Sequence, residues 1–219
     1  MAKAPVIEEA DLRHVIKVAG VTGETRVRDV ALLYTLYGLG LMLTELTTLP
    51  LSSYLRADGT VLAESEIPAA IAYNSRARPA FWTNPRVVSA IDAYLALRAS
   101  LGHGVTTRKN AFRGLVPSQP IFLSSDGESY RLTARKTPAG AVSYSCDSMS
   151  QVIRRLHTQA GVKGGHAGSA RRTFAVRLHR KGFDLRHIAE LVGNASLNST
   201  KKLIDSDTVS LGDLVSRVV

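Results

Sequence analysis

Apolar positions fall at helical spacing along most of the chain, with one central stretch where the spacing changes. Over residues 26–36, Val27, Val30, Ala31, Leu33 and Tyr34 form one apolar face, and the Gly-Leu-Gly at 38–40 ends it. A short helix over 44–49 stops at Pro50. Between Val61 and Trp82 helical spacing is lost, and IAYNSRARPAFW alternates in the way that suits a small hairpin or three-stranded sheet. TNPRVVSAIDAYLALRASLG then has the punctuation of a helix, with Asn84 as N-cap, Pro85 at the first position and Gly102 beyond the end. Residues 103–145, rich in Gly, Pro, Ser and Thr, read as loop around one strand-like core, PIFLSS. Four helices follow. The first runs from Asp147 or Ser148 to Ala160 and stops at Gly161; the second is capped by Ser169 and ends at Gly182; the third is capped by Asp184 and ends at Gly193; the fourth is capped by Ser196. In that last segment, SLNSTKKLID, Leu197, Thr200, Leu203 and Ile204 share a face. A terminal helix with the stripe Leu211, Leu214, Val215 and Val218 is predicted to pack on its own core or on a neighbouring protomer. The predicted organisation is a leader at 1–24, one domain over 25–206 and the terminal helix at 207–219.

Composition adds a core and a charge. The 219 residues are 45% hydrophobic, enough for one substantial core, and no internal repeat is present. Lys and Arg outnumber Asp and Glu by 28 to 18. Much of the excess lies between Arg154 and Lys202, where only Asp184 and Glu190 oppose it. Such a basic face fits a polyanion, and a duplex phosphate backbone rewards it by releasing counterions. An anionic membrane would call for an amphipathic or lipidated anchor, and none is visible. The longest uncharged apolar run, residues 30–43, falls short of the roughly 20 residues that span a bilayer and contains Gly38 and Gly40. A signal region is absent from the start of the chain, and the single Cys146 cannot form an internal disulfide, so the expected compartment is a reducing cytoplasm. Six histidines with one cysteine show no metal spacing, and no cofactor is expected. Trp82 is expected to pack the sheet, and no aromatic-rich platform for single strands is visible, which favours duplex over RNA.

Two distant segments, ALLYTLYGLGLMLTELTTLPLSSY at 31–54 and GSARRTFAVRLHRKGFDLRHIAELVGNASLNSTKKLID at 168–205, belong together. With the stretch between them they resemble the catalytic domain of the tyrosine recombinases, the phage-integrase family, over roughly residues 27–205. The resemblance implies a mainly α domain with a small antiparallel β-sheet (α+β). It also implies a site in which a tyrosine oxygen attacks a DNA phosphodiester, two arginines neutralise the phosphorane, and a lysine and histidines move protons.

Position by position, this chain departs from that pattern. The first arginine, after the G-x-G-L turn and three residues before Glu45, is Met42. The hairpin lysine falls at Asn74, with Arg76 and Arg78 close by. The histidine three residues before the second arginine is Gly168, with His166 two residues upstream, whereas the second arginine itself is kept as Arg171, followed by Arg172. The residue after the L-G turn is Asn194, and the nucleophile, nine positions on, is Leu203. The last of the seven tyrosines is Tyr144, so none follows the Arg171 motif, and Ser199 and Thr200 would lack activation.

The resemblance therefore implies a double-stranded DNA-binding protein on a recombinase fold that does not cut, acting as a regulator or accessory factor in recombination or transcription. Arg171, Arg172, Arg76, Arg78, Lys201, Lys202 and His166 are the expected DNA contacts. Glu45 is expected to be structural, with Arg171 as its alternative partner. Leu203 and Ile204 are expected to anchor their helix to the core. Three other readings stand beside this one. In the first, residues 185–203 form a helix-turn-helix that presents Asn198, Ser199, Lys201 and Lys202 to the major groove. The second is an interaction module for an active recombinase, and the third is an active integrase. Family members carry a separate N-terminal domain that closes a clamp on DNA, and this chain begins almost directly at the catalytic-type domain. Affinity is thus expected to be modest and salt-dependent, or raised by oligomerisation on repeated sites.

Overall fold

The computed structural model describes residues 4–136, 140 and 142–205. Eight helices and two antiparallel strand pairs make up these residues, a mainly α architecture with small sheets, as the sequence implied. At its centre is α2 (Arg26–Leu39), apolar on nearly every side: Ala31, Leu32, Leu33 and Leu36 are all fully buried. A helix of that kind needs neighbours all round, and α1 (Glu9–Ala19), α4 (Pro85–Ser100) and α6 (Ala167–Arg180) surround it.

Helix α1 lies within what the sequence suggested was a leader. Leu12, Val15 and Ala19 recur at helical spacing and are buried, and the helix packs on α2 and on α5 (Asp147–Gln159). The charged residues between them, Glu9, Asp11, Arg13 and Lys17, masked that stripe. Short α3 (Leu43–Thr48) follows α2 after the left-handed Gly40. The hairpin of β1 (Glu64–Ile67) and β2 (Arg78–Phe81) has two strands rather than three, in the register Ile67 opposite Arg78. Trp82 follows β2, edge-on to Tyr54 and donating from Nε1 to Ser65 Oγ at 2.9 Å. Helix α4 starts as its sequence dictates, with Asn84 Oδ1 accepting from the Arg86 amide at 3.0 Å.

PIFLSS, predicted to be strand-like, is buried at Ile121, Phe122 and Leu123 but pairs only through isolated bridges, Pro50 with Pro120 and Leu123 with Ser129. Pro120 has no N–H to donate to a ladder. The fully buried Arg98 satisfies the carbonyls instead, donating to Pro120 O at 2.8 Å and Ile121 O at 2.7 Å. A second hairpin, β3 (Thr133–Lys136) with β4 (Val142–Ser145), is solvent-exposed along almost its whole length, and its short Val142–Tyr144 alternation stands in a stretch rich in Gly, Pro, Ser and Thr that reads as loop.

The last three helices form a small subcore. Ala175 and Val176 of α6 pack with Ile188 and Val192 of α7 (Leu185–Val192) and Ile204 of α8 (Leu197–Ile204). Helix α6 begins earlier than Ser169: His166 is the N-cap, its Nδ1 accepting from the Gly168 amide at 3.1 Å, while Ser169 Oγ accepts from the His166 amide at 3.2 Å. Asp184 and Ser196 cap α7 and α8 as their positions demanded. The terminal helix expected at 207–219 lies outside the described residues.

Candidate nucleic-acid interface

A single buried carboxylate organises this region. Glu45 of α3, 1% exposed, accepts from the Met42 amide at 2.8 Å, from the Tyr73 amide at 3.2 Å and from Arg78 Nη2 at 2.6 Å. It thereby ties the start of α3 to the β1–β2 loop and to β2. Arg78 also donates to Leu191 O at the end of α7. Glu45 is enclosed by these donors, and its ion-pair partner is Arg78, not Arg171.

Arg171 lies next to this pair. Its Nη1 donates to Gly40 O at 3.1 Å and its Nη2 to Asn194 Oδ1 at 3.0 Å. Gly40 turns its carbonyl inward because φ is 60°, and a side chain there would run into the Phe174 ring. Gly193, with φ of 68°, ends α7 in the same way, and its carbonyl accepts from Asn74 Nδ2. Asn194 in turn donates to Thr200 Oγ1 at 2.9 Å. Two sets of hydrogen bonds, one on Glu45 that holds the Met42 amide and one that joins Arg171 to Asn194, are thus drawn together by the bond from Asn74 to Gly193 O. Burial, helped by nearby Arg78, pulls the Arg171 guanidinium down to about 10 against the pull of Glu45. It is still a cation at neutral pH, held in a low-dielectric setting where charge acts strongly.

Arg171, Arg172 and Arg78, all buried, correct the expectation of direct contact. Arg172 is 7% exposed and points away from Arg171, donating to Ala4 O at 2.6 Å, Asp205 O at 3.0 Å and Leu203 O at 3.1 Å. It clasps the end of α8 and the N-terminal segment. Arg78 is equally enclosed by Glu45 and Leu191. Neither guanidinium faces solvent, because each has carbonyl or carboxylate partners inside the fold.

Other cations are outside. Arg76 of the β1–β2 loop and Lys201 and Lys202 of α8 are exposed, whereas Thr200 and Ile204 hold α8 down and Leu203 is half-buried. His166 is a helix cap. Burial and Arg154 lower its affinity for a proton, which keeps Nδ1 available as the acceptor for Gly168. Among the described residues, no three His, Cys, Asp or Glu side chains gather closely enough to hold a metal ion. Sequence reasoning missed the carbonyls of Gly40 and Gly193 and the hydroxyl of Thr200. A glycine directly after an apolar helix was the available signal for the first two.

The fold is that of the tyrosine recombinase catalytic domain. Tyrosine recombinase XerC of Pelobacter propionicus is 31% identical over 179 residues, 80% of this chain and 47% of the relative. The XerA recombinase superposes with a TM-score of 0.67 at 19% identity, over 99% of this chain and 64% of that one. The XerH recombinase in its post-cleavage complex with palindromic difH substrate gives 0.66 at 17%, over 99% and 54%. The Tn1549 transposon integrase with circular intermediate DNA gives 0.60 at 12%, over 99% and 66%. The chain spans about half the length of the curated relative it matches. No protein-family model matches it.

Proposed function

We propose that this chain binds double-stranded DNA without cutting it, acting as a regulator or accessory factor in recombination or transcription. The observation that carries the reading is Leu203. It stands where the family resemblance puts the nucleophile, half-buried, its carbonyl held by Arg172, and a leucine side chain has no atom that can attack phosphorus. At Met42 a thioether replaces the first phosphate-binding arginine, so a developing phosphorane would meet one guanidinium instead of two. Binding needs less. Lys201, Lys202 and Arg76 are exposed cations available to phosphates, and Arg171 adds a buried positive charge. The XerH and Tn1549 complexes contain DNA on the same fold, which supports the partner.

Fluorescence anisotropy with a labelled duplex tests this. Affinity should fall steeply, by about 10³-fold or more between 50 and 200 mM salt if some six phosphates are contacted. No binding at the lower salt, or affinity indifferent to salt, would remove the reading. Helices α7 and α8 also form the pair expected of a helix-turn-helix, with Asn198 and Ser199 exposed, but both are packed on α6 within the recombinase fold. If α8 nevertheless reads bases, Asn198→Ala should change the preferred sequence; an unchanged base-by-base profile leaves α8 as a phosphate-contacting helix.

A further inference from the structure

Aromatic side chains that look scattered in sequence are gathered by the fold into one open groove. Tyr73 of the β1–β2 loop and Tyr144 of β4 are 64% and 60% exposed, and both line a groove of about 620 Å³ beside α3. That volume falls in the range of small-ligand sites. Leu132 and Val142 add apolar wall, and none of the lining residues is acidic. We infer that this groove is a stacking site for an unpaired nucleotide of the bound DNA, an inference that rests on the DNA binding proposed above.

Three observations converge on a nucleotide. The first is the exposed aromatic surface itself. Soluble domains keep contiguous apolar patches small unless something covers them, and a base is a flat apolar partner that a tyrosine ring can cover whatever its identity. The second is charge. Strand alternation and the pairing of Lys136 with Val142 and Ala134 with Tyr144 put Lys136 on the same face as the tyrosine, next to the groove wall. On the opposite face Arg135 is paired with Asp147 at 2.7 Å, whereas Lys136 makes no ion pair among the described residues. A phosphate flanking the stacked base would meet Lys136 on one side and exposed Arg76, three residues after Tyr73, on the other. The third is position. The Tyr73 amide is bonded to Glu45, and Asn74 to Gly193 O, so the loop that carries the ring is fixed to the Arg171 network. A strand lying along the basic face would bring a displaced base to the groove.

The test is a titration of the full chain with three fluorescent probes of one sequence: a paired duplex, the same duplex with a single-nucleotide bulge, and the single strand. The bulged duplex should bind about 5- to 100-fold more tightly than the paired one. Tyr73→Ala and Tyr144→Ala should erase that preference while paired-duplex affinity stays within about two-fold, and Tyr144→Trp should keep it; thermal melts establish that each variant folds. Equal affinity for bulged and paired duplex in the wild type would overturn the stacking site and leave duplex binding intact. Failure to bind any probe would overturn both. Sedimentation of the wild type as a dimer that Tyr144→Ala dissociates would show that the patch joins two copies, which also overturns the nucleotide site.

Discussion

Arg171, Arg78 and Arg172 carry the same charge and have different tasks, and partners decide which. Arg78 completes a buried ion pair with Glu45, so removing one member strands the other. Glu45→Ala should cost about 3–5 kcal/mol in urea denaturation, and much less when Arg78→Met is already present; a cost below about 1 kcal/mol in the single variant would contradict the assignment. Gly193→Ala forces a side chain into the left-handed region and against Arg78, and should cost at least about 1–2 kcal/mol on the same assay. His157 offers a pH test. It is fully buried, its Nδ1 is 2.7 Å from Ile153 O, and its Nε2 therefore accepts the Tyr37 hydroxyl at 2.7 Å in the neutral form. Burial lowers its proton affinity below that of an exposed imidazole. The unfolded chain then binds the proton more readily, so stability should fall as pH drops below about 6.5, and His157→Gln should show less of that loss. Parallel stability curves for the two proteins from pH 7.5 to 5.5 would refute it. At this scale the family resemblance singled out Met42, Arg171, Asn194 and Leu203, but not the enclosure of Arg78, Arg171 and Arg172. Arg171 and Arg172 are adjacent and helical geometry alone sends them to opposite partners, a difference no spacing rule records.

Elements were legible where a cap and an apolar stripe coincide. Asn84 with Pro85, Asp184 and Ser196 each start the helix their chemistry demands. The leader that is α1 and the strand that is a set of bridges show the limits: charge density hid the first, and the buried Arg98 takes the place of a ladder in the second. The β3–β4 hairpin has almost no buried face, and only the brief Val142–Tyr144 alternation marks it. Helix α8 is the element on which the DNA proposal depends most. Its buried side, Thr200 and Ile204, fixes it to the subcore and leaves Lys201 and Lys202 outside. Replacing both with Gln should weaken duplex binding uniformly across sequences and reduce the slope of log affinity against log salt by about 2. An unchanged slope would place the phosphates elsewhere.

Across the whole molecule, an excess of ten positive charges meets a fold whose solved relatives include DNA complexes, and the proposed reading assigns the nucleophile's position to a leucine. Charge and fold act on binding; cleavage needs a set of groups acting together, and on the same proposal most of that set has been replaced. Restoring one member should therefore not restore the reaction: Leu203→Tyr alone should give no covalent DNA adduct, because Met42 still leaves the phosphorane one guanidinium short. The direct measurement is a gel shift on labelled duplex from the chain's own genetic neighbourhood, each sample run both native and after detergent. A shift that detergent abolishes is the expected result; a band that survives detergent would reveal a protein–DNA covalent bond and contradict a non-cutting DNA-binding protein.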